Sequence, residues 1–342
     1  MKKIRVGVIG AGTMGVQHVE IFNELPDTEI GAIVDLDIQK ARQISQKLGI
    51  EAPIYQDYTQ MLKESNVDAV AISLPDSMHK EPVVAALQAG KHVLVEKPLA
   101  TKLEDCDQMI RLAEDCKKTL MVNFTHRWAP QYYNAKEIIS SGKIGSLAMA
   151  YARKNDTIGV VRQWKWLAES TPSAFLSSHD IDLVRWYMGC EAKSVYARAY
   201  AKVLKKEGYD TLDLVQALVE FENGAMATFE SGWIYPDTFP TKTDSYVELV
   251  GEHGVIHIDR KSETLEYASP EEYAFPKLMI SCRINGKIYG AFRSSLEHFV
   301  ECLKTGKEPL TSGRESRQVA EIVEGIHRSI ASGQVIRLPI NS

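Results

Sequence analysis

Gly10, Gly12 and Gly15 stand in G-x-G-x-x-G spacing directly after the apolar run Ile4 to Ile9. Gly10 permits a tight turn, Gly12 lets backbone N–H groups approach a pyrophosphate, and Gly15 lets a following helix pack closely on a sheet. Thr13 and Met14 complete the loop, at the positive end of that helix, where phosphate is favoured. About twenty residues on, a second apolar run, Glu29 to Val34, ends at Asp35. An acid there accepts hydrogen bonds from the ribose hydroxyls of a dinucleotide and repels a 2′-phosphate. Leu36 and Asp37 supply no compensating cation, leaving only Arg42 on the next helix. The chemistry expected is binding of NAD in preference to NADP.

Two further side chains have proton chemistry. Lys97 follows the apolar run Val93 to Val95, at a strand end where it would stand beside a bound nicotinamide. An ammonium there hydrogen-bonds a substrate hydroxyl and stabilises alkoxide character as hydride leaves the carbon. The ordinary alternative is a solvated surface lysine. His179 opens a helix in Ser177-Ser178-His179-Asp180-Ile181-Asp182. Three residues apart, His179 and Asp182 can share a helix face and relay a proton. The alternative is a helix-entry segment built for capping.

These groups need a scaffold. Helical segments at 38–48, 58–64, 81–89 and 103–116 alternate with short apolar strands at 67–74, 91–95 and 119–122, so residues 1–122 predict an α/β, doubly wound parallel Rossmann sheet. Ligands of such sheets bind outside the carboxyl ends of the strands, where Gly10, Asp35, Leu74, Pro75, Lys97 and Asn123 fall. Residues 123–342 change pattern. Helices near 131–140 and 181–187 precede strand-like runs at 194–201, 212–221, 225–233, 245–250, 255–259 and 264–267, and a charged helical end begins near Arg293. This predicts an α+β domain with a largely antiparallel open sheet, one face of which can carry a partner subunit. Asn223-Gly224 reads as a two-residue hairpin turn. Arg153, Asn155, Trp164, Lys165, Trp166 and Tyr235 are of types that bind or stack on sugars.

Composition narrows the function. The chain has 342 residues and a net charge of −5, long enough for two cores and too acidic to favour nucleic acid. Met1-Lys2-Lys3 resembles a signal n-region, but the apolar stretch behind it is short, and no later run is long enough to span a membrane. Five scattered cysteines without C-x-x-C support neither a disulfide framework nor a metal site, and point to the cytoplasm.

Taken together, Gly10 to Gly15, Pro75-x-x-x-His79, Ala89-Gly90-Lys91-His92-Val93, Glu96-Lys97-Pro98, Arg127 and His179-Asp180-Ile181-Asp182 resemble the Gfo/Idh/MocA oxidoreductases, along the whole chain. The resemblance implies a substrate domain that binds a polyol or sugar over the nicotinamide, in homodimers or homotetramers built on the open sheet. It adds His79, Glu96, Thr125 and Arg127 to the cofactor candidates, and implies a cis proline at Pro98. Catalysis would rest on Lys97 and His179, with Arg153, Asn155, Trp166, Phe175, Asp182 and Tyr235 around the substrate. One position departs from the pattern: polyol-oxidising members commonly carry Asp four residues before the histidine, and this chain has Phe175. A phenyl ring cannot orient an imidazole, but it can stack on a sugar face or an aromatic aglycone. The expected activity is hydride transfer between NAD and a secondary alcohol of a cyclic polyol, sugar or sugar derivative. The alternatives are an NAD-retaining lyase, hydrolase or epimerase, and a non-catalytic dinucleotide sensor.

Overall fold

The structure is a computed structural model that describes residues 3–340. Met1 and Lys2 of the n-region reading, and the side chain of the sugar-site candidate Lys165, lie outside the described residues. The chain forms two compact units, Met1–Thr125 with Ser281–Arg317, and His126–Ile280 with Gln318–Ser342.

The first unit opens with β1 (Ile4–Ile9), α1 (Thr13–Glu24), β2 (Thr28–Val34), α2 (Ile38–Leu48), β3 (Ile54–Tyr55) and α3 (Tyr58–Glu64). It continues through β4 (Ala69–Ile72), α4 (Lys80–Gln88), β5 (His92–Val95), α5 (Leu103–Asp115) and β6 (Leu120–Val122). The six strands lie in the order β3-β2-β1-β4-β5-β6 and all pair parallel. Every residue of β4 is buried, as a strand covered by helices on both faces must be. Asp37 caps α2, accepting from the Gln39 and Lys40 amides, and Gly49 ends that helix in the left-handed region.

The second unit begins with α6 (Pro130–Ser140), β7 (Leu147–Thr157), α7 (Ile158–Gln163), a single π turn (Ser173–Ser177) and α8 (Ser178–Met188). Strands β8 (Ala192–Tyr200), β9 (Leu214–Phe221), β10 (Met226–Tyr235), β11 (Thr243–Gly251) and β12 (Val255–Asp259) follow, with the short helix α9 (Val203–Lys206) between β8 and β9. The small hairpin β13 (Tyr267–Ala268) with β14 (Tyr273–Ala274) comes next. The hairpin β15 (Cys282–Ile284) with β16 (Lys287–Tyr289) and α10 (Ala291–Thr305) follow in the chain but belong to the first unit; α11 (Gly313–Ser332) leads back to the second, which ends with β17 (Ile336–Arg337). The second sheet runs β12-β11-β7-β10-β9-β8-β17, with β7 and β10 parallel and the other neighbours antiparallel.

Three expectations change. The chain does not divide once near residue 122: residues 281–317 return to the first unit. Phe292, Leu296 and Phe299 of α10 are fully buried, and Phe292 packs edge-on against His18 of α1 at 5.1 Å. The run 264–267 is not a strand, since Glu263 and Thr264 adopt positive φ and only Tyr267–Ala268 pairs. The Asn223-Gly224 turn is present, but Phe221 N bonds to Ala225 O around a three-residue loop with Gly224 at φ +85°, which adds one residue to the expected turn.

Candidate functional site

In the first unit, Gly10 sits at φ +93°, and a Cβ there would strike the Ser73 carbonyl. At Gly15 a Cβ would run into the Gly10 carbonyl oxygen, so α1 can seat against the turn only with glycine. A Cβ on Gly12 would meet nothing within 4 Å. Gly12 caps α1 without a side-chain bond, and no acid occupies its first turn, so the leading N–H groups are left for a ligand's anion. Thr13 and Met14 are exposed at that end. Asp35, at the end of β2, accepts from Ala11 N at 2.7 Å and Asp37 N at 2.8 Å, which ties the acid to the glycine turn. This donor-lined turn, open beside Gly12 and flanked by an anchored carboxylate, fits a dinucleotide.

Lys97 follows β5, half-buried, and the Lys97–Pro98 peptide is cis, as the resemblance implied. On one side of it His79 is fully buried, its ring nitrogens facing the Pro98 carbonyl at 2.8 Å and the Leu74 carbonyl at 2.9 Å. His79 thus joins the Leu74-Pro75 turn to the Lys97-Pro98 turn. Its ring is committed to the protein, and the expectation of a direct cofactor contact gives way to one of support. On the other side, His18 Nε2 of α1 donates to Glu96 Oε1 at 2.8 Å, and Asn123 Nδ2 donates to the same oxygen at 2.9 Å. Ser295 Oγ of α10 donates to Asn123 Oδ1 at 2.8 Å. Burial works to raise the Glu96 carboxyl, but the His18 bond and charge, the Asn123 amide and the charge of Lys97 outweigh it and hold Glu96 below its ordinary value. Thr125 is buried just beyond β6.

In the second unit, His179 opens α8 half-buried, its ring stacked on that of His126 at 4.2 Å and 29°. Asp182, expected to share a proton with His179, gives both carboxylate oxygens to Arg127, at 2.9 Å and 2.7 Å. Arg127 and Asp182 are 1% and 0% exposed, so the arginine expected at the cofactor and the acid expected at the substrate form an internal pair. Asp180 accepts from Lys154 Nζ at 2.7 Å, and its carboxyl is pushed up by burial against the opposing charge of Lys154. Because Lys154 points to α8 and side chains alternate along a strand, Arg153 and Asn155 project from the opposite face of β7. There Arg153 pairs with Asp244 at 2.7 Å, and Asn155 donates to Glu230 and to the Tyr235 hydroxyl at 2.9 and 3.1 Å. Arg153 and Asn155 therefore do not share the face of β7 on which α8 packs.

Phe175 lies in the π turn, its ring 5.8 Å from Trp166 and 6.4 Å from Trp233, beside buried Ile158, Val161 and Leu176. It is half-buried within an apolar cluster, and Trp166 packs with it. Trp164 is half-buried against the same cluster.

Several polar residues of these sites escape a reading of motifs: His18, His126, Lys154 and Arg260, whose Nη1 donates toward His126 Nε2 at 3.4 Å. For His18 a signal exists, because it stands with Gly15, Val19 and Phe22 on the buried stripe of α1, where a polar residue needs a partner. Lys277 is another, pushed down to about 8 by burial and by the charge of Arg260.

Comparison with known proteins agrees with this architecture. Residues 4–124 match the oxidoreductase family, NAD-binding Rossmann fold, and residues 136–338 match that family's C-terminal alpha/beta domain. The chain belongs to the Gfo/Idh/MocA oxidoreductase family. Its first unit is an NAD-binding Rossmann fold. Among its relatives are a myo-inositol 2-dehydrogenase from Thermotoga maritima, 25% identical over 98% of both chains, and a scyllo-inositol 2-dehydrogenase (NAD(+)) from Bacillus subtilis, 26% identical over 99% of this chain and 97% of the relative. A crystal structure of scyllo-inositol dehydrogenase from Lactobacillus casei, with bound NAD(H) and scyllo-inositol, shares the fold at TM-score 0.84 and 21% identity, covering 98% of this chain and 99% of that one. No helix among the described residues is long and apolar enough to cross a membrane.

Proposed function

We propose that this oxidoreductase is a dehydrogenase of cyclic polyols, sugars or sugar derivatives, acting on a secondary alcohol. The observation that carries the reading is Lys97, held from both sides at the carboxyl end of β5 in the NAD-binding sheet, by His79 through Pro98 and by the bonds on its neighbour Glu96. The relatives named inositol dehydrogenases support the substrate class. NAD, when bound, supplies the hydride acceptor. The turn from Gly10 to Gly15 and Asp35 bind it. Lys97, as an ammonium, hydrogen-bonds the substrate hydroxyl and stabilises alkoxide character as hydride leaves the carbon. The second unit is assigned to polyol binding, with His179 as its acid–base candidate. Its open sheet face exposes Met149, Tyr196, Leu218, Met226 and Val255, apolar side chains on one face that suit a second copy of the chain. The five unpaired thiols support a cytoplasmic location.

The test is NADH formation across a panel of inositols and sugars. Lys97→Ala should lower kcat by on the order of 10²- to 10⁴-fold with little change in NAD affinity; an unchanged kcat removes Lys97 from the chemistry. Turnover without accumulated NADH would show transient oxidation by a retained cofactor, and NAD binding without turnover would show a sensor.

A further inference from the structure

The two carboxylates nearest His179 in the chain are engaged inside the second unit, Asp180 with Lys154 and Asp182 with Arg127. Against the His179 imidazole lies another imidazole, that of His126, at 4.2 Å between ring centres and 29° between planes. His126 is 6% exposed and is clamped in turn. Its ring lies 5.6 Å from that of buried Tyr132 on α6, and Arg260 Nη1, from the chain just after β12, donates to its Nε2 at 3.4 Å. Arg260 is fixed by Glu263 at 3.1 Å, and Glu263 by the Leu278 and Met279 amides at 2.6 and 2.9 Å. Lys277 adds a further cation, donating to the Arg260 carbonyl. A guanidinium has donors only and stays charged at any working pH, so the His126 nitrogen it meets must carry a lone pair. The His126 proton is then on Nδ1, and a second proton is disfavoured because it would set an N–H and a positive charge against those of Arg260.

We propose that His126 is a positioning residue for His179: a neutral ring, locked by Arg260, that fixes the His179 imidazole by stacking and leaves His179 as the member of the pair that titrates near neutral pH. The proposal rests on His179 being the acid–base group of the second unit, but the protonation of the pair can be measured without substrate. In alcohol oxidation the substrate O–H bond breaks and its proton passes to a His179 ring nitrogen, while the C–H bond breaks and hydride passes to NAD. Reduction runs the same exchange backwards. His126 touches no reacting atom in this scheme. Stacking on a buried ring restricts rotation of the His179 side chain, so its nitrogen is presented in one orientation. A neutral partner also spares the imidazolium formed on His179 a like charge at 4.2 Å, which would oppose proton uptake.

The test is long-range proton–nitrogen NMR of the NAD-free full chain carrying nitrogen-labelled histidine, from about pH 5.5 to 8.5. His126, assigned by the signals lost in His126→Phe, should stay in the neutral Nδ1–H form throughout, while His179 titrates. Arg260→Gln removes the guanidinium, and His126 should then gain a midpoint inside this range. Arg260→Gln combined with Glu263→Gln removes both charges together and serves if the single variant melts low. In turnover of the best substrate from the inositol and sugar panel, His126→Ala should lower kcat by on the order of 10- to 100-fold with little change in KM for NAD. His126→Phe, which keeps a ring for His179 to stack on, should recover most of that loss. A wild-type His126 that titrates in this range, a His179 that does not, or a His126→Ala variant with native melting behaviour and wild-type kcat overturns the proposal. A wild type that transfers no hydride while the protonation pattern persists overturns the dehydrogenase reading and leaves the locked pair standing.

Discussion

At the scale of single residues, the cofactor preference proposed above is assigned to Asp35. Its two oxygens accept from Ala11 N and Asp37 N, so the carboxylate shapes the glycine turn in addition to the ribose contact proposed for it. Replacing it therefore has two effects. Asp35→Ser with Leu36→Arg should weaken NAD binding by about tenfold, through loss of charge-assisted hydrogen bonds, and should narrow or reverse the preference over NADP. Calorimetry with both cofactors measures it, and wild-type protein that binds them equally would remove Asp35 from the discrimination. Glu96 makes a second residue-scale prediction. Its folded value lies below the ordinary 4.5, so its ionised form contributes stability in full above that pH, and the contribution is lost as pH falls through the depressed value. Melting temperature should drop on acidification below pH 4.5. Glu96→Gln should melt lower at neutral pH and show a shallower acid slope.

At the scale of elements, the π turn from Ser173 to Ser177 decides what Phe175 can do. The turn carries Phe175 onto Trp166 and Trp233, and Trp233 is itself fixed by donating Nε1–H to the Leu212 carbonyl at 2.6 Å. The same turn is tied to α11, where His327 Nε2 lies 3.0 Å from Ser173 Oγ and 2.8 Å from Thr171 Oγ1. Phe175→Asp would remove aromatic packing and place a carboxylate against tryptophan. It should cost on the order of 2–4 kcal/mol and lower the melting temperature clearly. Thermal melting and polyol turnover on one preparation check this. A variant that melts like wild type but prefers other substrates would show that the ring faces the ligand.

At the scale of the whole molecule, the open face of the second sheet has no described covering layer. Met149 pairs with Met226, and Leu218 lies between Thr228 and Tyr196, so the exposed apolar residues share one face in register. Leu218 is 47% exposed. A Leu218→Glu variant should leave the fold intact and shift a homo-oligomer toward smaller species, as followed by light scattering coupled to gel filtration; an unchanged mass would place the subunit contact elsewhere.

The cofactor half was legible because its determinants are local. Glycines in the β1–α1 turn, the acid closing β2 and short buried strands are features of contiguous sequence, and periodicity reports them directly. Helices α2 and α3 match the sequence reading at both ends, each opened by an aspartate cap. The catalytic candidates were legible as residue types at the ends of elements, Lys97 after β5 and His179 at the start of α8. Their partners were not legible. Glu96, after β5, meets His18 of α1 and Asn123 after β6, and Arg127 pairs with Asp182, 55 positions away. The face on which Arg153 and Asn155 stand depends on the register of β7, where a shift of one residue exchanges the two faces. Residues 281–317 rejoin the first unit because the apolar side of α10 finds burial there, and no local pattern distinguishes that from packing on its sequence neighbours. Short-range patterning determined the elements and the dinucleotide turn; only long-range packing decided which polar groups would be paired, since a buried charge takes whatever partner the completed fold brings to it.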